Sequence, residues 1–194
     1  MARLPFLNLE DLPPEDQEKV RARLGPNATA NKPFSILLPS PEGFARYLSL
    51  SNYNRDGSTI DARTRELVIL VVAREWKSDY IWGAHEAAAK RLGVDDTLIA
   101  AIREGNLSPT VFPKEAAYLA YAQQLVAHRK IDDATFEAMR KLIGARGLVD
   151  LTLIVSYYTM QPTPSPPLRS SADIKRPPQG SAAASPVSGR PFPF

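Results

Sequence analysis

The chain has 194 residues, 44% of them hydrophobic, enough for one globular domain with a substantial core, and it has no cysteine, which excludes disulfides, thiolate metal sites and thiol redox chemistry. A formal charge of +3 and a pI near 9.2 would point to a nucleic-acid or membrane partner, but Arg169, Lys175, Arg176 and Arg190 face only Asp173 in 161–194, which leaves 20 basic and 20 acidic residues in a neutral body, 1–160. No apolar run approaches the roughly 18–20 residues that cross a bilayer, and the N-terminus lacks the apolar centre of a secretory signal, so a soluble cytoplasmic protein without nucleic-acid or membrane partners is expected.

In chain order, Pro13-Pro14-Glu15-Asp16 opens a helix that runs to Leu24 and stops at Gly25-Pro26. Proline tolerates the first turn, where its missing N–H is not needed, and the acids favour the positive helix end. Residues 25–39 read as loop. Ser40 is the expected N-cap of a second helix with Phe44, Tyr47, Leu48 and Leu50 or Ser51 on its apolar side, and NYNRDGS (52–58) reads as a turn-rich exit. Asp61 caps a third helix reaching about Trp76, whose run Leu67–Val72 is apolar on more than one side. Ser78 or Asp79 caps a fourth, with Ile81, Ala84 or His85, Ala88 and Leu92 inward and Gly93 as its left-handed stop. Asp95 caps a fifth with Leu98, Ile99 and Ile102, ended by Gly105. Pro113 opens a sixth with Tyr118, Tyr121, Leu125 and Val126, and Asp132 or Asp133 a seventh with Phe136, Met139, Leu142 and Ile143. An eighth runs from about Gly147 to Met160.

The runs VILVV and LTLIV are β-branched enough to suggest strands, yet both sit inside longer windows of helical spacing without hairpin signals, so both are read as buried helices. After Met160 the composition changes: nine of the 18 prolines fall in the last 34 residues, among Ser, Ala and Gly. A helical domain over 1–160 and a Pro/Ser-rich disordered tail over 161–194 are expected.

Two helices over 61–93, DARTRELVILVVAREWKSDYIWGAHEAAAKRLG, hold one of only two histidines, and His85 with Glu66 is the candidate chemical centre. Taken alone, a helical histidine is more often a hydrogen-bonded structural residue, and a first-turn glutamate more often a helix-dipole acid. The other histidine, His128, follows a helix beside Arg129-Lys130 and reads as solvated; two histidines so far apart offer no metal-ligand spacing, so no metal is expected.

The stretch Arg65-Glu66-Leu67, Tyr80, Trp82, His85 and Leu92-Gly93 resembles the carboxymuconolactone decarboxylase and alkyl hydroperoxidase D family, and the likeness extends more loosely over about 42–160. It implies an all-α bundle of the alkyl hydroperoxidase D-like type, about eight helices, that forms homo-oligomers with the site partly at subunit contacts. The peroxidase branch of that family uses a Glu, a C-x-x-C and a His separated from the second Cys by three residues. Those positions fall on Glu66, Ser78, Ile81 and His85, so the redox pair is missing and thiol peroxidase chemistry is not expected.

The decarboxylase branch needs no cysteine and no cofactor. The resemblance then implies a lyase acting on a small carboxylated lactone or related aromatic-degradation intermediate, with His85 transferring the proton and Glu66 orienting it. Arg65 or Arg74 would hold the substrate carboxylate, and Tyr80 and Trp82 would line the substrate. The alternative expectation is a non-catalytic helical oligomer that binds a small acid or a protein partner.

Overall fold

The computed structural model describes residues 4–30, 34–107 and 112–161 and shows, among them, helices and no strand. Seven α-helices follow one another: α1 (Pro14–Leu24), α2 (Pro41–Asn52), α3 (Ala62–Glu75), α4 (Asp79–Arg91), α5 (Asp96–Glu104), α6 (Ala116–His128) and α7 (Asp133–Met160). Residues 162–194, nearly all of the expected tail, lie outside the described residues.

Where the chain carries a local signal, it folds at that signal. Asp61, Ser78, Asp95 and Asp132 each accept a backbone N–H of the first turn, from Thr64, Ile81, Thr97 and Thr135. Such caps satisfy amides that the helix leaves without partners and contribute about 0.5–2 kcal/mol each. At the other ends Gly93 (φ 73°) and Gly105 (φ 80°) take the left-handed conformation that stops α4 and α5.

The described residues form two compact units divided between Ser51 and Asn52. In the first, α1, α2 and a buried 3-10 turn over Phe34–Leu37 enclose a core of Leu9, Leu12, Val20, Phe34, Leu38, Phe44 and Ala45. That turn replaces part of the loop expected over 25–39. Its Phe34 ring meets Tyr47 of α2 at 5.9 Å.

In the second unit α3 is the axis, packed by α4, α5, α6 and α7. Seven consecutive residues, Leu67–Ala73, are buried, as the two-sided apolar run predicts. No helix face is left for solvent there, and each buried Val, Leu or Ile contributes about 1.5–3 kcal/mol. Leu70→Ala would leave a cavity costing about 2–5 kcal/mol.

Three features differ from the expected elements. The exit NYNRDGS continues as a single π turn, Tyr53–Gly57, closed by Ser58 N–H on the Tyr53 carbonyl at 2.9 Å. The inward stripe of α4 is Ile81, His85 and Ala89, while Ala84 and Leu92 are exposed. The seventh and eighth expected helices run on as α7, broken at Gly144 (φ 68°, ψ −178°) rather than just before Gly147. Only Met139 is buried before that break, whereas Leu151, Ile154, Val155, Tyr157 and Tyr158 are buried after it. Both β-branched runs are helical.

Candidate active site

Glu66 lies in the second turn of α3 and His85 in the second turn of α4, and the packing of these helices brings the two side chains together. His85 Nδ1 is 2.6 Å from Glu66 Oε2, with the residues only 2% and 3% exposed. A carboxylate accepts only, so Nδ1 carries the proton and donates it to Glu66. This fixes the tautomer of the imidazole.

Arg65 reaches the same carboxylate from the preceding residue: its Nε is 3.6 Å from Glu66 Oε1, and its Nη1 donates to the Arg55 carbonyl at 2.8 Å. That carbonyl belongs to the π turn, so the guanidinium ties the turn to the pair. From α7, Tyr158 sets its ring edge-on to the His85 imidazole, centroids 5.0 Å apart, with Tyr157 edge-on behind it at 5.3 Å. Burial, then the charges of Glu66 and Tyr157, push the Tyr158 phenol well above its usual range against the opposing charges of Arg65 and Arg55. Tyr158 therefore stays protonated, a neutral hydroxyl at the side of the imidazole.

A second buried carboxylate pins the π turn to α7. Asp150, 1% exposed, accepts the Tyr53 hydroxyl (2.6 Å), the Thr59 N–H (2.8 Å) and the Thr59 hydroxyl (2.8 Å). Arg146 stands 4.0 Å away and donates to the Gly57 carbonyl at 3.4 Å. Burial raises the Asp150 carboxyl, but these hydrogen bonds and the Arg146 charge outweigh it and hold the group below the usual carboxylate range. A side chain at Gly57 would meet the Tyr53 ring at 2.7 Å, so glycine there lets that ring lie over the turn.

Of the substrate-binding candidates, Arg65 stands at the pair. Arg74 lies more than two turns further along α3, about 12 Å by helical rise, where it pairs with Glu75 and lies against Gly105. Trp82 donates to Glu86 at 2.7 Å and is covered by the Arg103 guanidinium 4.6 Å from its ring, a cluster extended by Lys90 and Asp96. Tyr80 is half-buried in the first turn of α4. His128 is exposed, as expected, but as the last residue of α6 rather than after it. Sequence reasoning passed over Asp150 and gave Tyr158 no place at the pair; the paired tyrosines of SYYTM were the available signal for the latter.

At the positions where the redox branch carries cysteines, the hydroxyl of Ser78 caps α4 by accepting the Ile81 N–H at 3.4 Å, and Ile81 lies in the core. Among the described residues no group of three or more His, Asp or Glu could hold a metal ion, and no helix is long and apolar enough to cross a membrane.

Residues 41–124 match the family model of the carboxymuconolactone decarboxylase family. No curated protein matches the chain. Among solved structures, an uncharacterized peroxidase-related protein from Silicibacter sp. TM1040 is similar at 21% identity with a TM-score of 0.62, covering 81% of this chain and 83% of that one. The fold is the all-α, alkyl hydroperoxidase D-like bundle that the resemblance implies.

Proposed function

With residues 41–124 carrying the carboxymuconolactone decarboxylase family pattern, we propose that the protein is a cofactor-free lyase that decarboxylates a small carboxylated lactone, or a related intermediate of aromatic-compound breakdown, by proton transfer at His85. The observation that carries this reading is the buried Glu66–His85 hydrogen bond of 2.6 Å beside the Arg65 guanidinium. The reaction breaks the bond between the ring carbon and its carboxylate, releases CO2, and leaves the bonding pair in the conjugated lactone. That pair is quenched by one proton. Protonated His85 supplies it, Glu66 stabilises the cation through Nδ1–H, and His85 then recovers a proton from solvent. Arg65 is the carboxylate clamp, and the protonated Tyr158 hydroxyl is a neutral neighbour that does not compete for the proton.

Thiol-dependent peroxide turnover is not part of this reading, since Ser78 is a helix cap and Ile81 a core residue. A screen of carboxylated lactones and hydroperoxides, followed by CO2 release and peroxide loss, tests it with His85→Gln as control. Lactone turnover that vanishes in a folded His85→Gln protein supports the lyase, and unchanged turnover in that variant removes His85 from the mechanism.

The burial of both residues favours a second reading, a helical homo-oligomer in which the pair is a structural hydrogen bond and the scaffold binds a small acid or a protein partner. On that reading no lactone is turned over, and His85→Gln lowers the melting temperature without changing any ligand's affinity.

A further inference from the structure

Asn54 is the second residue of the π turn and is 2% exposed, yet neither its amide nitrogen nor its amide oxygen has a hydrogen-bond partner among the described residues. A buried carboxamide without partners loses its hydration and gains nothing in return, and such groups persist in native proteins where a ligand or a function requires them. The turn itself supports a functional role, because single π turns are costly to helix geometry and recur at binding sites.

The backbone that carries Asn54 is tied to the pair by the contacts of its neighbours. The next residue, Arg55, offers its carbonyl to Arg65 Nη1 at 2.8 Å, and Arg65 Nε lies 3.6 Å from the carboxylate that holds His85. Tyr158, edge-on to that imidazole, feels the charges of Glu66, Arg65 and Arg55 together. The turn is fixed rather than loose, since Asp150 holds Tyr53 on one side of Asn54 and Thr59 beyond it.

We infer that Asn54 is a ligand-binding residue of the Glu66–His85 site, whose amide N–H donates to an oxygen of an oxygen-rich small carboxylic acid held beside Arg65. The inference rests on the lactone-acid reading above and adds to it the residue that orients the ligand. Asn54 has no part in moving the proton: it fixes where the ligand oxygen sits, and the arginine supplies the charge.

The test is a calorimetric titration of the full chain with 5-oxotetrahydrofuran-2-carboxylate, a saturated lactone acid that gains no conjugated system on losing CO2, combined with thermal melts of the ligand-free proteins. Asn54→Leu replaces the unpartnered amide by a side chain of similar size with no polar atom. It is expected to melt at or above the wild-type temperature while binding the lactone acid at least tenfold more weakly. Asn54→Asp keeps the shape and turns the donor into a negative oxygen, so it too should weaken binding tenfold or more, and it decides the matter if Asn54→Leu does not fold. Wild-type affinity in both Asn54 variants overturns the assignment while leaving the lactone-acid reading standing. Failure of the wild type to bind the lactone acid overturns both.

Discussion

The second unit buries two carboxylates, Glu66 on α3 and Asp150 on α7, and they are held in opposite ways. Asp150 is surrounded by groups that do not ionise at working pH, a phenol and the N–H and hydroxyl of Thr59, with Arg146 at the rim. Glu66 is bound instead to an imidazole, with a guanidinium at its other oxygen. A carboxylate held by neutral donors is a pin whose charge state never needs to change. One bound to histidine faces a ring of the kind that serves in proton transfer, which is what the proposed function asks of it.

The strongest way to break this contrast is His85→Gln, which keeps a hydrogen-bonding side chain and removes the titrating ring. Turnover of the substrate found by the lactone screen should fall by about 10²–10⁴-fold, with far-UV circular dichroism unchanged. Asp150→Asn should do the reverse. It sets an amide N–H₂ against donors that need an acceptor and should cost about 2 kcal/mol in denaturant melts, with kcat of the folded fraction preserved. The pH dependence of that loss has a definite sign. Because the folded-state pKa of Asp150 is depressed, its contribution is fully present above the unfolded carboxylate value of about 3.9 and is lost as pH falls through the lower folded value. The gap between wild type and Asp150→Asn should therefore be constant near neutrality and close below about pH 4.

A smaller effect is expected at Arg65→Lys, which retains the charge but not the forked geometry; KM should rise about tenfold with kcat changed less. Glu86 is the control outside the contrast: a partly exposed carboxylate under Trp82, Lys90 and Arg103. Glu86→Gln should change stability by at most about 1 kcal/mol and leave steady-state rates unaltered.

Much of the scaffold was legible because its signals are local. Asp61, Ser78, Asp95 and Asp132 cap where short oxygen-bearing side chains precede helical runs, and Gly93 and Gly105 stop where a left-handed residue is needed. The pairing of Glu66 with His85 came from the spacing of a family pattern, and the packing of α3 on α4 places the two in contact. What escaped reading lacks local contrast. The alanine-rich AHEAAAK gives no hydrophobic phase, so Ala89 could not be distinguished from Ala88 as the inward residue. A π turn has no residue signature, so NYNRDGS looked like an ordinary exit. Arg65 and Arg74 look alike in sequence, and only the tertiary contacts separate the one beside Glu66 from the one bound to Glu75. Tyr158 joins His85 across the fold, a proximity no spacing rule reaches.

The unequal packing of the two helices that hold the dyad also sets a clock. Helix α3 is covered by four others along seven buried residues, whereas the extensive packing of α4 is against α3. Amide deuteration should therefore reach α4 through partial openings long before it reaches α3, whose protection should approach that of global unfolding. On that expectation the glutamate rides on a slowly exchanging helix and the histidine on a faster one. An event that exposes the imidazole would then be α4 lifting away while the carboxylate stays in place.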